Sequence, residues 1–286
     1  MYIENNQIRN YISIWLLLMF CIISIMIAIG GLTRLTDSGL SITKWQLFTG
    51  LLPPLNESDW VIYFDLYKKI PEFKLQNYSM SINEFKVIFW WEWVHRFLGR
   101  LIGVSFIFPL LFFSLKVGFK KLKFLYLIFF LICFQGFVGW YMVSSGLVDR
   151  VDVSHYRLSL HLFIAFIILS MIFWSYLILS KNSSNNFTLK PNLPLFFLFL
   201  IYIQIIIGAF VAGMDAGKIY NTWPLMGNNY FPDDNLMLNL FNLKVFDNPS
   251  LVQFIHRNLA YCILLFYLVM LFKIYKNKLT DLYISI

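Results

Sequence analysis

The chain alternates long apolar runs with polar stretches, two of them long. Six apolar runs, 11–33, 96–115, 124–145, 158–180, 193–213 and 251–272, approach or exceed the roughly 20 residues that a helix needs to cross a bilayer. The pattern predicts six membrane-spanning helices with long loops at 34–95 and 214–250 and short connections elsewhere. The first run is too long, and too continuous with Gly30-Gly31-Leu32-Thr33, to be a cleaved signal peptide, so it reads as a retained helix. The expected fold class is an all-α polytopic membrane protein.

Composition agrees with a lipid solvent. Hydrophobic residues make up 59% of the 286 and charged residues only 13%, with a mean hydropathy of +0.68. A soluble domain is about half apolar and about a quarter charged. The net charge of +8 raises a nucleic-acid reading, which the placement of the charges excludes. Lys116, Lys120, Lys121 and Lys123 follow the second run, Lys181 and Lys190 the fourth, and Lys273, Lys276 and Lys278 the sixth. Lysines clustered beside apolar runs set topology, with the basic side cytoplasmic. Both termini are therefore expected in the cytoplasm, both long loops outside, and the chain in the inner membrane. Cys21, Cys133 and Cys262 all lie inside apolar runs, which leaves no disulfide framework and no CxxCH motif for covalent haem.

This topology sorts the histidines. His95 opens the second helix, His155 and His161 flank the start of the fourth, and His256 lies in the first turns of the sixth. All four fall at the outer ends of even-numbered helices. A single membrane histidine reads as a packing residue, but ionisable groups at matching depth on three helices point to ligation of something shared. Around His95 the chain reads Trp91-Glu92-Trp93-Val94-His95-Arg96, and Glu92 stands three residues before His95, on the same helical face. A weaker copy, Ile255-His256-Arg257-Asn258-Leu259, lies near the C-terminus.

The copy belongs to an internal repeat. Gly30 to Gly39 aligns with Gly208 to Gly217, and Asp37 to Trp45 spans the same step as Asp215 to Trp223. Helices five and six thus repeat helices one and two in the same orientation, as in membrane proteins built from two related bundles. The expected organisation is a first four-helix bundle at 1–190 carrying the loop 34–95, and a second at 191–286 represented by two helices. Partners for helices three and four do not follow the sixth, so either that bundle is incomplete or another chain completes it, for which a homo-oligomer is one arrangement.

Two imidazoles from facing helices in Phe- and Leu-rich surroundings suit a haem iron in bis-histidine ligation. Zinc would ask for more N or S ligands, closely spaced. Arg96 and Arg257, each beside a candidate ligand, read either as partners for haem propionates or as interface arginines that snorkel. Glu92 reads either as a solvated or helix-terminal charge or as a group that moves a proton beside a haem. Trp90, Trp91 and Trp93 read as an interfacial aromatic belt, and Asp37 and Asp215, each just before a glycine, as tight-turn residues.

At these residues the chain resembles the haem A synthase family (CtaA type), in the branch found in alphaproteobacteria and mitochondria. The stretches that carry the resemblance are 30–45, 53–60, 88–103, 134–147, 154–162, 208–226 and 253–258, in family order over nearly the whole chain. The resemblance implies eight helices in two four-helix bundles, of which the last two are missing here, and oxidation of the C8 methyl of haem O to the formyl group of haem A. It implies that His95 and His161, with Glu92 as the functional carboxylate, receive the substrate haem O. It also implies that His256 ligates a haem b that transfers electrons, the fourth ligand lying on the missing eighth helix. His155 has no ligand role in the family pattern, and the cysteine pair that some relatives carry in the first outer loop is missing here, excluding a redox role for that loop. A haem O synthase and a membrane electron carrier are the implied partners. The rival reading is a haem-binding electron-transfer or haem-carrying membrane protein without methyl oxidation, and Glu92 separates the two, since electron transfer alone has no use for it. A transporter is a third reading, suggested by the repeat, but no broken helix supports it.

Overall fold

The structure, a computed structural model, describes residues 3–45, 49–148, 150–180 and 192–276, so Lys181, Lys190 and Lys278 lie outside the described residues. Along the chain run α1 (Asn6–Leu35), the short α2 (Glu57–Tyr67) and α3 (Pro71–Leu75), then α4 (Ile82–Val117), α5 (Lys123–Val143), α6 (His155–Ser180), α7 (Asn192–Gly213) and α8 (Pro249–Lys276). Among the described residues six helices are long and apolar enough to cross a membrane, as the hydropathy pattern predicts. The only extended pairing among them is a lone bridge between Met226 and Asn229. The protein is an all-α, multi-pass membrane protein.

The chain divides into two compact units, residues 1–184 and 185–286. In the first, α1 packs on α4 and α6, and α5 packs on α6 and α4, which leaves α4 and α6 on the diagonal of a four-helix bundle. Its core joins Ile12, Leu16 and Met19 of α1 to Phe106 and Leu110 of α4, Leu125 and Ile128 of α5, and Ile172 of α6. The outward faces carry bare Leu and Phe, such as Phe108 at 67% exposure, as a lipid-facing surface requires.

Several hydroxyl and indole groups within the spans bond to main-chain carbonyls, because lipid offers them no partner. Ser24 Oγ donates to the Phe20 carbonyl at 2.8 Å and Thr33 Oγ1 to Ile29 at 2.9 Å. Pro109 inside α4 has no N–H to offer the Ser105 carbonyl. The Trp15 indole of α1 fills that gap with a 3.1 Å hydrogen bond to the same oxygen.

The largest departure from the sequence expectation lies in the loop 34–95. Helix α4 begins at Ile82, not near residue 96, so Glu92 and His95 sit well inside it rather than at its opening. A capping box starts it: Ser81 Oγ accepts from Glu84 N–H at 3.4 Å, and the Glu84 carboxylate accepts from the Ser81 N–H at 2.7 Å. The extension is held by aromatic packing outside the apolar run. Trp60 meets Phe89 edge-on at 4.9 Å, and Phe64 and Tyr67 lie against Phe85 at 5.1 and 5.2 Å. Hydropathy registers only the lipid-facing part of such a helix.

In the second unit α7 and α8 pair around Ile207, Phe210 and Val252. The turns after α1 and α7 place Asp37 (φ 47°) and Asp215 (φ 51°) in the left-handed region, the conformation that tight-turn aspartates tolerate, at equivalent steps of the repeat.

Candidate functional site

Three histidines each lie against a glycine of the neighbouring helix. A Cβ at Gly30 of α1 would stand 3.1 Å from His95 Nε2. One at Gly139 of α5 would stand 3.0 Å from His161 Cε1, and one at Gly208 of α7 would stand 3.0 Å from His256 Cε1. Only glycine leaves room for an imidazole that close to the helix backbone. His95 on α4 and His161 on α6 thus project from the two diagonal helices of the first bundle. His155, the buried first residue of α6, instead places its ring 4.2 Å from that of Tyr156.

Above His95 the segment after α1 folds over α4 as a strap. Glu92, only 3% exposed, accepts from Ser41 Oγ and from the Ile42 N–H, both at 2.7 Å, and pairs with Arg96 at 2.5 Å. Arg96 also donates to the Ile42 carbonyl at 2.8 Å and to Lys44 at 3.5 Å, and lies over the Trp45 ring at 5.2 Å. A cavity of about 130 Å³ opens beside it, bounded by Thr43, Trp45, Trp140 and Ser144. Neither of the plainer expectations survives here. Glu92 is neither solvated nor a helix-terminal charge, because α4 starts ten residues earlier and the strap covers it. Arg96 does not snorkel; its guanidinium is bonded to main-chain carbonyls and a buried carboxylate.

The second unit repeats this strap. Arg257 donates to the Tyr220 carbonyl at 2.7 Å and to Thr222 at 2.8 Å. Tyr220 and Thr222 hold the same places after Asp215 as Ile42 and Lys44 hold after Asp37. Where the first unit has Glu92, the second has Gln253, whose Nε2 donates to the Tyr220 carbonyl at 2.9 Å. The scaffold is common to both units, and the carboxylate belongs to one.

The tryptophans do more than line an interface. Trp90 contacts Trp60 at 6.0 Å and Trp93 at 5.4 Å, and Trp93 stacks on Phe97 at 5.1 Å, bracing α4 against α2. Next to them is a buried polar cluster that sequence reasoning missed. Tyr67 donates to Glu72 Oε1 at 3.1 Å, and Asn77 Nδ2 donates to Tyr67 at 2.8 Å and to Glu72 at 3.3 Å. Burial, reinforced by the charge of Glu92, pushes the Glu72 carboxyl up to about 8, against the opposing Tyr67 hydrogen bond. The glutamines Gln135 and Gln204 also escaped notice, although each stands four residues before its cradle glycine.

The protein is a polytopic helical membrane protein in which His95, His161 and His256 each lie against a glycine of a neighbouring helix, with arginine straps beside His95 and His256. The profile of the COX15-CtaA family, cytochrome oxidase assembly protein, matches residues 13–284, and the chain belongs to that family. It is 51% identical to the haem A synthase of Pelagibacter ubique, over 98% of this chain and 84% of that protein. Against the haem A synthases of Parvibaculum lavamentivorans and Rhizobium rhizogenes it is 46% identical, covering 92% and 91% of this chain and 78% and 72% of those proteins. No solved structure matches the chain.

Proposed function

We propose that the chain is a haem A synthase, an oxidoreductase that converts the C8 methyl of haem O to a formyl group. The observation that carries this reading is the pairing of His95 and His161 on diagonal helices with the buried Glu92 one helical turn from His95. The residues fit a haem: two imidazoles face the bundle interior from α4 and α6, and glycines keep the backbone low behind them. Among the described residues the buried Nδ1 atoms of His161 and His256 have no hydrogen-bond partner, as expected of rings arranged around a ligand.

In this reading His95 and His161 would hold the iron of the substrate haem O in the first unit, residues 1–190. Glu92 would exchange protons at the site, since turning a methyl into a formyl group with an oxygen atom taken from water releases protons together with the electrons that the carrier collects. Arg96 pairs with Glu92 and ties the strap to α4, and in this reading the guanidiniums of Arg96 and Arg257 would meet the haem propionates. His256 ligates a haem b in the second unit, residues 191–286, and when bound that haem supplies one-electron transfer. A haem O synthase delivers the substrate and a membrane electron carrier collects the electrons.

We place the protein in the inner membrane with both termini cytoplasmic. In the first unit Arg9, Lys116, Lys120, Lys121 and Lys123 gather at the end away from the histidines, which supports that orientation.

The test is chromatography of haems extracted from membranes that contain haem O and this chain. Haem A should appear with the unmodified chain and disappear with His95→Ala or His161→Ala. Unchanged haem O with the unmodified chain, in membranes where a relative makes haem A, would refute the activity.

A further inference from the structure

The second long loop carries an apolar surface that lies outside every spanning helix. Leu236, Met237, Leu238, Phe241 and Leu243 are each between 66% and 88% exposed. They fall in and beside two short 3₁₀ turns, Met237–Phe241 and Leu243–Asp247. Single exposed leucines are ordinary, but five in so short a stretch mark a surface that meets something other than water.

The polar groups of the segment are turned on one another. Asn248 Nδ2 donates to Asn235 Oδ1 at 2.9 Å, and Asn242 Oδ1 accepts the Lys244 N–H at 3.0 Å. The main-chain N–H groups of Asn239 and Val245 donate to the carbonyls of Leu236 and Asn242, both at 2.9 Å. From Asn235 to Leu243 the chain carries no charge. The acid just before it, Asp234, accepts from Ser250 Oγ of α8 at 2.7 Å and so faces the protein. The cation just after it, Lys244, is exposed. Amides satisfied within the segment and apolar side chains turned out are what contact with lipid demands.

Depth favours lipid over a protein partner. Phe246 meets Phe210 of α7 edge-on at 5.8 Å and packs beside Val252 of α8. Phe210 stands one helical turn before the end of α7 at Gly213. The 22 residues of α7 make a helix of about 33 Å, little more than the roughly 30 Å of bilayer hydrocarbon. The end of α7 therefore marks the hydrocarbon boundary, and Phe246 ties the apolar segment to that level. On the other limb of the loop, Trp223 Nε1 donates to the Tyr261 hydroxyl of α8 at 2.6 Å. Trp and Tyr are the residue types that gather at membrane interfaces.

We propose that residues 236–243 are an interfacial anchor whose Leu, Met and Phe side chains enter the adjoining phospholipid leaflet, with Lys244 at the rim meeting lipid phosphates. The anchor holds against the membrane the loop whose Tyr220 and Thr222 carbonyls Arg257 binds. It does not depend on the haem reading.

The test places a nitroxide on Leu238→Cys or Phe241→Cys in the full chain, with Cys21, Cys133 and Cys262 replaced by Ala, in phosphatidylcholine vesicles. Power-saturation EPR then compares collisions with oxygen, which concentrates in lipid, and with a water-soluble nickel chelate. Leu265→Cys, on the exposed face of α8, and Ser58→Cys, on the exposed start of α2, set the lipid and water ends of the scale and report that the chain is inserted. Both anchor positions should give an oxygen-to-nickel ratio near that of Leu265. A ratio near that of Ser58 would place the segment in water and overturn the proposal. Few collisions with either reagent would overturn it too, by showing that protein, from this chain or a second copy, covers the surface.

Discussion

Arg96 donates to the carbonyl of Ile42 at 2.8 Å, and through that bond the segment after α1 is tied to the helix that carries His95. The same bond recurs between Arg257 and Tyr220, yet the two arginines answer to different neighbours. Arg96 neutralises a carboxylate that is 3% exposed, whereas Arg257 stands beside the neutral Gln253.

Arg96→Ala should therefore be the more damaging of the pair. It strands a buried charge, a loss of about 3–5 kcal/mol. Arg257→Ala removes hydrogen bonds to carbonyls and should cost about 1–3 kcal/mol. Thermal unfolding of the two variants in detergent checks the order; equal losses would show that the Glu92 charge is not held by Arg96.

The cradle glycines give a contrast of their own. Gly139→Ala and Gly208→Ala put a methyl 3.0 Å from an imidazole carbon, whereas a Cβ at Gly136, on the same helix as Gly139, meets nothing within 4 Å. Overpacking of this kind costs about 1–3 kcal/mol. Haem content and the low-spin absorption band should fall in the first two variants and hold in Gly136→Ala. Three alike spectra would remove the cradles from the site.

Glu72 predicts a pH dependence. Its folded value of about 8 lies above the unfolded carboxylate value, so between the two the folded state holds a proton that the unfolded state has lost. The stability it favours is complete below the unfolded value and is lost as pH rises through about 8, by roughly 1.4 kcal/mol for each pH unit that separates the two values. Glu72→Gln should flatten the thermal stability profile across that window and stabilise the protein at its alkaline end. A profile that keeps its slope in the Gln variant would assign the dependence to another group.

Topology is open to direct labelling. Thiols introduced at Ser58 and Asn228 should react with an impermeant reagent from the outside. Protection of both, with reaction only after the membrane is breached, would invert the orientation.

The spans and the histidines were legible because lipid imposes a length and a composition, and because four histidines in a chain of 286 residues stand out. The repeat was legible from Asp37 and Asp215, whose shared turn the backbone angles reproduce. The start of α4 was not, because the residues from Ile82 to Glu92 are held by Trp60, Phe64 and Tyr67 across the chain, a tertiary effect that hydropathy does not register. The roles of Arg96 and Arg257 were half legible. Their place beside the histidines marked them, but their bonds run to main-chain carbonyls, which have no signature in side-chain identity. Gln135 and Gln204, which donate to the main-chain carbonyls of His161 and His256, were visible only as a glutamine one turn before a glycine, a signal that acquires meaning once those histidines are seen against it.

Glu92 separates an enzyme from a haem carrier, and the second unit supplies the control. Gln253 fills the place of Glu92 beneath the same arginine strap and holds it without a charge. A Glu92→Gln chain should therefore fold and bind haem, since the amide can still accept from the Ile42 N–H and Ser41, which the carboxylate now binds at 2.7 Å. What the substitution removes is the exchangeable proton and the negative charge, the two properties that acid–base chemistry needs. In extracted haems, haem A should vanish while haem O or a partly oxidised form accumulates, with haem content and spectra near those of the unmodified chain. Loss of haem together with activity would make Glu92 a structural anchor of the strap. Haem A at the normal level would take the carboxylate out of the reaction and leave the histidine pair to account for it.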